Sequence, residues 1–145
     1  MRVTLPILLI AVFALVGPVV PASAHHAFGV EFDGTKCMDL KGTLTGVVWE
    51  NPHAYLDMDV TDASGKVVSW HLEMVTPNAL KRTGTTKQDF TDNFGKTINA
   101  RACEARVQGA GTQRRGATSY LALSDGLIRL VGQGVERRAD SEKRF

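Results

Sequence analysis

The sequence predicts an all-β protein with one short helix, folded as a small Greek-key barrel of the OB-fold type. Residues 40–74 contain three consecutive segments with strand character, joined by two turn signals. Glycines are spaced through the first segment, which is typical of the bent strands that closed barrels use. A helix signal follows the third segment, which is where an OB-fold has its helix. The alternative fold is another small β-barrel or an open β-sandwich.

The second and third segments alternate apolar and polar residues with a period of two. Their apolar residues are Ala54, Leu56, Met58, Val60, Val68, Trp70, Leu72 and Met74. A two-residue loop between the strands would pair Leu56 with His71. A three-residue loop that ends at Gly65 instead pairs Leu56 with Leu72. The second register keeps a histidine off the apolar face and gives Gly65 the left-handed position, so the burial pattern favours it.

This register predicts a cluster of polar side chains on the opposite face of the hairpin. Asp57 then lies opposite His71, and Tyr55 lies opposite Glu73. His53 is on the same face, one step further along the strand. A cross-strand pair of this kind stabilises a sheet by up to about 1 kcal/mol.

The rest of the chain predicts two helical turns and three further strands. Thr76 suits an N-cap, and Gly84 fits the position just after the end of the first helix. A second helical turn opens at Thr86, with Asp89 as its partner in a capping box. The remaining strands are predicted at 97–107, 120–123 and 127–131, and an exposed loop is predicted at 108–116.

Residues 1–24 predict a cleaved signal peptide. Arg2 supplies the positive start, residues 5–20 are apolar, and Ala22-Ser23-Ala24 is a small-x-small cleavage site. The apolar run is short for a membrane span and contains two prolines. We therefore expect a periplasmic or secreted protein with no membrane span after cleavage.

The exported part predicts a single OB-like domain over 25–135, followed by a charged, disordered tail over 136–145. Cleavage removes one of the 17 basic side chains and none of the 15 acidic ones, so the remaining charge is close to neutral. A near-neutral chain lacks the basic surface that nucleic-acid binding requires. We expect a small ligand or a periplasmic protein as the partner, and no nucleic acid.

The two cysteines predict a disulfide. Cys37 precedes the first predicted strand and Cys103 lies in the fourth, and both are in the exported part. In an oxidising compartment such a pair is more often bonded than free. A catalytic thiol is disfavoured because the sequence contains no Cys-x-x-Cys motif.

Several motifs carry a resemblance to a known family. They are HHAF at 25–28, EFD at 31–33, LKGT at 40–43, W-x-NPHA at 49–54 and PNAL-x-R-x-G at 77–84. The chain resembles a family of small exported bacterial proteins that is known only as a domain of unknown function. It departs from the family at Thr85, where tryptophan is expected, and in its cysteines. The resemblance implies export and a small β-barrel, and it supplies no activity.

The histidines suggest a metal site. If cleavage follows Ala24, His25 has a free amine beside its imidazole, and these two donors together suit copper(II). His26, His53 and His71 would complete a copper or zinc site. In the alternative interpretation, His25 and His26 form a flexible end, His53 is an exposed turn residue, and His71 only pairs across the strands. The sequence has no strong metal-ligand motif such as Cys-x-x-Cys.

The leading interpretation is a non-catalytic binding module. Its predicted ligand-binding residues lie at the corner after the first strand and are Trp49, Asn51, His53 and Tyr55. Trp70 faces the apolar side and is predicted to be in the core.

Two other sets of residues have side chains that could carry chemistry. Arg114 and Arg115 lie in a glycine-rich stretch and are predicted to be solvated loop residues rather than an anion site. A hydrolase-like enzyme using His71 and Asp57 as acid and base is the third hypothesis. No catalytic residue is assigned, because Ser69 lies within a strand and not on an exposed elbow.

Overall fold

The computed structural model describes residues 28–132. This part of the chain contains, in order, α1 (Phe28–Glu31), β1 (Phe32–Trp49), β2 (Ala54–Thr61), β3 (Val67–Glu73), α2 (Pro77–Arg82), α3 (Lys87–Thr91), β4 (Thr97–Ala105), β5 (Arg114–Ala122) and β6 (Ile128–Leu130). The predicted signal peptide and the predicted charged tail lie outside the described residues, as do His25 and His26. None of the helices described is long and apolar enough to cross a membrane.

Five of the strands close into a barrel, which confirms the predicted small all-β barrel. β1 pairs antiparallel with both β2 and β4, β2 pairs with β3, and β4 pairs with β5. A parallel pairing between β3 and β5 closes the ring. Since α2 and α3 lie between β3 and β4, both the strand order and the place of the helices are those of an OB-fold. β6 extends the sheet beyond β5.

The β2–β3 hairpin has the register that its apolar pattern predicts. Leu56 pairs with Leu72, and Asp57 pairs with His71. Gly65 adopts the left-handed conformation with a φ of 83°. The Asp62 carboxylate accepts hydrogen bonds from the backbone N–H groups of Ser64 and Lys66, at 2.8 and 3.1 Å, and this fixes the turn.

β1 is longer than predicted. It begins at Phe32 rather than at residue 40, and its first half pairs with β4 while its second half pairs with β2. A register shift lies between Leu44 and Gly46. A Cβ atom at Gly42 would overlap the backbone carbonyl of Asp59, so only glycine allows β1 and β2 to approach this closely.

The predicted disulfide joins β1 to β4. Cys37 and Cys103 lie directly opposite each other in the two strands and are bonded. The expectation that Cys37 precedes the first strand is wrong, because β1 already begins at Phe32. The bond therefore crosslinks the barrel wall itself.

The barrel interior holds the core, and the two central helices add to it. Its fully buried members include Leu44, Leu56, Met58, Leu72, Leu80, Phe90, Ile98 and Leu121. Trp70 is 2% exposed, which places it in the core as predicted. Thr76 caps α2, and Thr86 forms the predicted capping box with Asp89 at the start of α3.

The predicted loop at 108–116 is wrong at its C-terminal end, because β5 begins at Arg114. Arg114 and Arg115 are strand residues that pair in parallel with Trp70 and His71. Their glycine-rich surroundings indicated a loop. In the barrel, Gly116 lies so close to the Cys103 carbonyl that a Cβ atom there would be 2.7 Å from its oxygen.

Candidate functional site

The predicted polar cluster lies on the outer face of the barrel, across β2 and β3. Strand alternation directs Tyr55 and Asp57 of β2 and His71 and Glu73 of β3 outward, because the residues between them are in the core. These four residues define the β2–β3 face. The loop between β1 and β2 and the loop between β4 and β5 lie beside it, and an OB-fold binds its ligands with these same parts.

An aspartate, a histidine and a glutamine are joined on this face. Nδ1 of His71 is 2.7 Å from Oδ1 of Asp57. The side-chain amide of Gln113, from the β4–β5 loop, donates to the same oxygen at 3.1 Å. The His71 and Asp57 side chains are 28% and 29% exposed, so the pair is accessible from solvent and still held in place.

Tyr55 stacks on His71. The two ring centroids are 4.6 Å apart and the ring planes differ by 10°. The Tyr55 hydroxyl points towards Glu73, with 3.5 Å between Oη and Oε2. Partial burial raises the pKa of Tyr55, and the Glu73 charge raises it further. The phenol therefore stays protonated and can donate a hydrogen bond.

His53 and Glu73 form a second histidine–carboxylate pair. Nδ1 of His53 is 3.3 Å from Oε1 of Glu73 and 3.2 Å from the Met74 carbonyl oxygen. The Glu73 side chain is only 12% exposed. Burial raises its pKa, and the nearby His53 opposes this rise. Glu73 is thus a carboxylate whose negative charge is poorly solvated.

The hydrogen bonds fix which nitrogen of each imidazole carries a proton. A backbone carbonyl and an ionised carboxylate only accept hydrogen bonds, so Nδ1 of both His53 and His71 carries the hydrogen. Nε2 is then the nitrogen with the lone pair in each neutral ring. Both histidines are therefore oriented to accept a proton, a hydrogen bond or a metal ion through Nε2.

The β4–β5 loop is tied to the end of this face. Gln108 accepts a hydrogen bond from the Arg115 N–H at 2.8 Å, and its amide donates to the Arg115 carbonyl at 3.1 Å. Burial raises the pKa values of Tyr55 and Glu73, and the Arg115 charge opposes this rise in both.

The first described residues also reach the β2–β3 face. Phe28 packs on Phe32, with ring centroids 5.1 Å apart, and lines a small cavity together with Glu73. Arg106 holds α1 in place by donating to the backbone carbonyls of Gly29 and Glu31, at 2.9 and 2.8 Å. Phe28 therefore lies beside Glu73 at the edge of this face.

The predicted ligand-binding residues do not form one surface. Trp49 packs against the core and on Phe90, with ring centroids 5.8 Å apart, whereas Tyr55 faces outward. The interpretation of Trp49 and Tyr55 as neighbours at a common corner is thus corrected, because they lie on opposite sides of the sheet. Asn51 is exposed in the turn and precedes a cis proline. The structure brings His53 and Tyr55 together around Glu73.

Sequence reasoning missed three contributors to the site. Gln113 and Phe28 come close only through the tertiary fold, and no local sequence signal marks either of them. Arg115 reaches His71 through the parallel β3–β5 pairing, which depends on where β5 begins. Arg114 is not a free loop cation, because its guanidinium lies 5.2 Å from the Trp70 ring and 3.3 Å from a Glu104 oxygen.

Of the four predicted metal ligands, two lie within the described residues, and these two are not brought together at one site. His53 and His71 lie in separate histidine–carboxylate pairs, and within residues 28–132 no three His, Cys, Asp or Glu side chains are grouped to hold a metal ion. His25 and His26 lie outside the described residues. For the enzyme hypothesis, the Ser69 hydroxyl donates to Asp59 at 2.6 Å instead of facing His71.

Comparisons with known proteins give a family and no activity. A family model described as "Family of unknown function (DUF6152)" matches residues 14–114, which is more than half of the chain. No curated protein and no solved structure matches the chain. The site must therefore be interpreted from its own chemistry.

Proposed function

We propose that this chain, which belongs to the family of unknown function DUF6152, is an exported, non-catalytic module that binds a small ligand on its β2–β3 face. One observation carries the proposal: on the outside of the barrel, Tyr55 stacks on His71, which is paired with Asp57, and a second histidine–carboxylate pair lies beside this stack. An OB-fold binds its ligands on this same face.

The chemistry of the face suits a small polar ligand. Its groups supply an aromatic surface, hydrogen-bond donors and acceptors, and charges of both signs within a few residues. The side chains are already held by mutual hydrogen bonds, so a ligand would bind without ordering them, and this lowers the entropic cost of binding. Shared hydrogen bonds between Asp57, His71 and Gln113 provide most of this preorganisation.

Export is supported by two independent features. The first 24 residues have the charge pattern, apolar run and small-residue cleavage site of a signal peptide. The Cys37–Cys103 disulfide is the bond expected in an oxidising compartment such as the periplasm or the exterior of the cell.

A nuclear magnetic resonance titration tests the proposal. Isotope-labelled protein is titrated with a panel of amino acids, short peptides, oligosaccharides and divalent metal ions. We expect at least one compound to shift the amide signals of β2 and β3 in a saturable manner. Tyr55→Ala and His71→Ala should each weaken its binding about tenfold or more, since each removes half of the stacked pair.

Lys41→Ala provides the matched control. Lys41 is exposed on β1, where that strand pairs with β4, and it should leave the affinity unchanged. If every binding compound is insensitive to both site variants, the proposed surface is wrong. If no compound in the panel binds, the protein is not a small-ligand module of this kind.

A further inference from the structure

We infer that β3 has a second binding surface, a free strand edge at residues 67–69, which takes an extended peptide with acidic side chains at both ends of the bound stretch. The inference goes beyond the proposed function, because this edge lies at the opposite end of β3 from Glu73 and takes a different class of ligand. An unpaired stretch of backbone, a groove beside it and two flanking cations carry the inference.

The edge is free because β3 begins before its partner on one side. β2 pairs with β3 along its whole length, from Val67 to Glu73, whereas β5 pairs only with the stretch from Trp70 to Glu73. β5 itself begins at Arg114, which lies opposite Trp70. Within the described chain, residues 67–69 therefore have a neighbouring strand on the β2 side only.

The backbone groups that face the free edge belong to Val67 and Ser69. The Lys66 carbonyl accepts a hydrogen bond from the Asp62 N–H at 2.9 Å, so the backbone of Lys66 faces β2. Successive residues of an antiparallel strand direct their backbone groups to opposite edges. Val67 therefore directs its N–H and C=O away from β2, and Ser69 its N–H. Such groups are the template on which an extended peptide adds as a further strand.

A groove lies along this edge. Its volume is about 420 Å³, and it is lined by the start of β3 on one side and by Thr112 and Arg114 on the other. The β4–β5 loop is held in place there, because Gln113 donates to Asp57 at 3.1 Å. A loop that covers an unpaired strand is a common protection against unwanted pairing. Here the loop stands apart from the strand and leaves room for another segment.

Two cations flank the free edge. Lys66 precedes it, and Arg114 lies opposite the residue that follows it. The Arg114 guanidinium is positioned 5.2 Å from the Trp70 ring and 3.3 Å from an oxygen of Glu104, and a guanidinium has further N–H donors for a second anion. The Asp62 carboxylate beside Lys66 already accepts two backbone hydrogen bonds within the turn. The ends of the edge therefore suit acidic side chains.

The spacing of the cations defines the peptide. Lys66 and Trp70 are four residues apart, which corresponds to about 13 Å along a strand. Strand alternation puts both on the same side of β3, and Arg114 lies against Trp70. A peptide with acidic side chains at its first and fifth residues presents them on one side at this same spacing. Val67 is 57% exposed and offers an apolar contact to the residues between them.

The test measures the binding of the peptide Glu-Val-Thr-Val-Glu, blocked at both ends and carrying a fluorophore, by fluorescence anisotropy. We expect saturable binding with a micromolar Kd, and shifts of the Val67 and Ser69 amide signals in nuclear magnetic resonance spectra. Replacing both glutamates of the peptide with glutamine should weaken binding about tenfold or more.

Two N-methylated peptides test whether the peptide adds as a strand. One is methylated at the first, third and fifth backbone nitrogens and the other at the second and fourth. Alternate N–H groups of an added strand face β3, so one peptide should lose binding and the other should keep it.

Three protein variants test the edge and its cations. Lys66→Glu and Arg114→Gln remove the cations, and Val67→Pro removes an N–H that faces away from β2. Each should weaken peptide binding about tenfold or more. Lys41→Glu is the matched control, because it makes the same charge change at an exposed position of β1, and its Kd should stay within about twofold of the unmodified protein. Circular dichroism verifies the fold of every variant, and the methylated peptides test the same hydrogen bonds if Val67→Pro does not fold.

The inference is overturned if the peptide does not bind, if the glutamine peptide binds equally well, or if the two methylated peptides behave alike. A dimer in analytical ultracentrifugation that Val67→Pro abolishes would also overturn it, since the edge would then pair with a second copy of this chain. These failures are distinguishable from failure of the proposed function. A small ligand whose binding depends on Tyr55 and His71 would leave that function standing without a peptide at the β3 edge.

Discussion

The imidazole of His71 lies nearly parallel to the ring of Tyr55, with 10° between the planes and 4.6 Å between the centroids. Asp57 holds the imidazole from the side through a 2.7 Å contact to Nδ1. The stack and the hydrogen bond act on the same ring in different directions, so together they fix both its position and its rotation. This preorganisation is what makes the β2–β3 face a candidate site rather than a solvated strand surface.

The first prediction concerns the coupling between Asp57 and His71. In a double-mutant cycle with Asp57→Ala and His71→Ala, we expect a coupling free energy of about 0.5–1 kcal/mol, because the pair is only partly buried. Urea unfolding of the four proteins measures it. Additive effects of the two substitutions would show that the contact contributes nothing to stability.

The hairpin that carries this pair could be predicted from the sequence because its signals are local. The alternation from Ala54 to Val60 determines which face is buried, and Gly65 determines the loop length. Together they determine that Asp57 meets His71. β2 and β3 each contribute two of the four polar residues of the β2–β3 face. The register of this hairpin is therefore enough to bring all four together.

The remainder of the site depends on pairings between distant parts of the chain. Gln113 reaches Asp57 only because β5 pairs with β3 in parallel, and this pairing also turns Arg115 from an apparent loop residue into a strand residue. Phe28 reaches Glu73 through the packing of α1. A turn signal does not indicate which side of the sheet the flanking residues occupy, so the sequence predicts one corner for the outward-facing Tyr55 and the inward-facing Trp49.

The second prediction tests how closely the barrel is packed where it closes. A Cβ atom at position 116 would lie 2.7 Å from the Cys103 carbonyl oxygen and 3.2 Å from Cδ2 of Leu72. Gly116→Ala should therefore force β5 away from its neighbours and lower the free energy of unfolding by about 1–3 kcal/mol. Chemical denaturation measures the loss.

Gly111→Ala is the control for the barrel closure. A Cβ atom there would meet only the backbone nitrogen of Gln113, at 4.0 Å, in an exposed loop. We expect a change of less than about 1 kcal/mol in either direction, because the substitution mainly reduces the freedom of the unfolded chain. If Gly116→Ala and Gly111→Ala lower the free energy of unfolding equally, the close packing of β5 against β3 and β4 is contradicted.

The third prediction concerns the disulfide. Cys37 and Cys103 are 66 residues apart, so their bond restricts a large part of the unfolded chain. Replacing both with alanine should lower the free energy of unfolding by about 2–4 kcal/mol. A reductant should destabilise the unmodified protein to a similar extent and leave the double variant unchanged. A reductant effect that persists in the double variant would mean that the bond is not its cause.

The last prediction is a pH dependence at the β5–β6 turn. Two hydrogen bonds from the Arg129 guanidinium, at 2.6 and 2.9 Å, are the largest reason why the pKa of Asp125 falls to about 2, and the Leu127 N–H adds to the effect. A carboxylate whose pKa is lowered by folding stabilises the folded state above its unfolded pKa of 3.8, and this contribution is lost as the pH falls through about 2. The Asp125 side chain is 44% exposed, so solvent screening keeps the effect small.

At pH 7 we expect Asp125→Asn to lower Tm by about 1–5 °C. Thermal scans at decreasing pH should show the two proteins converging near pH 2, and 1 M salt at pH 7 should also narrow their difference. A gap that stays constant between pH 7 and pH 2 would show that the carboxylate charge is not responsible for the stabilisation.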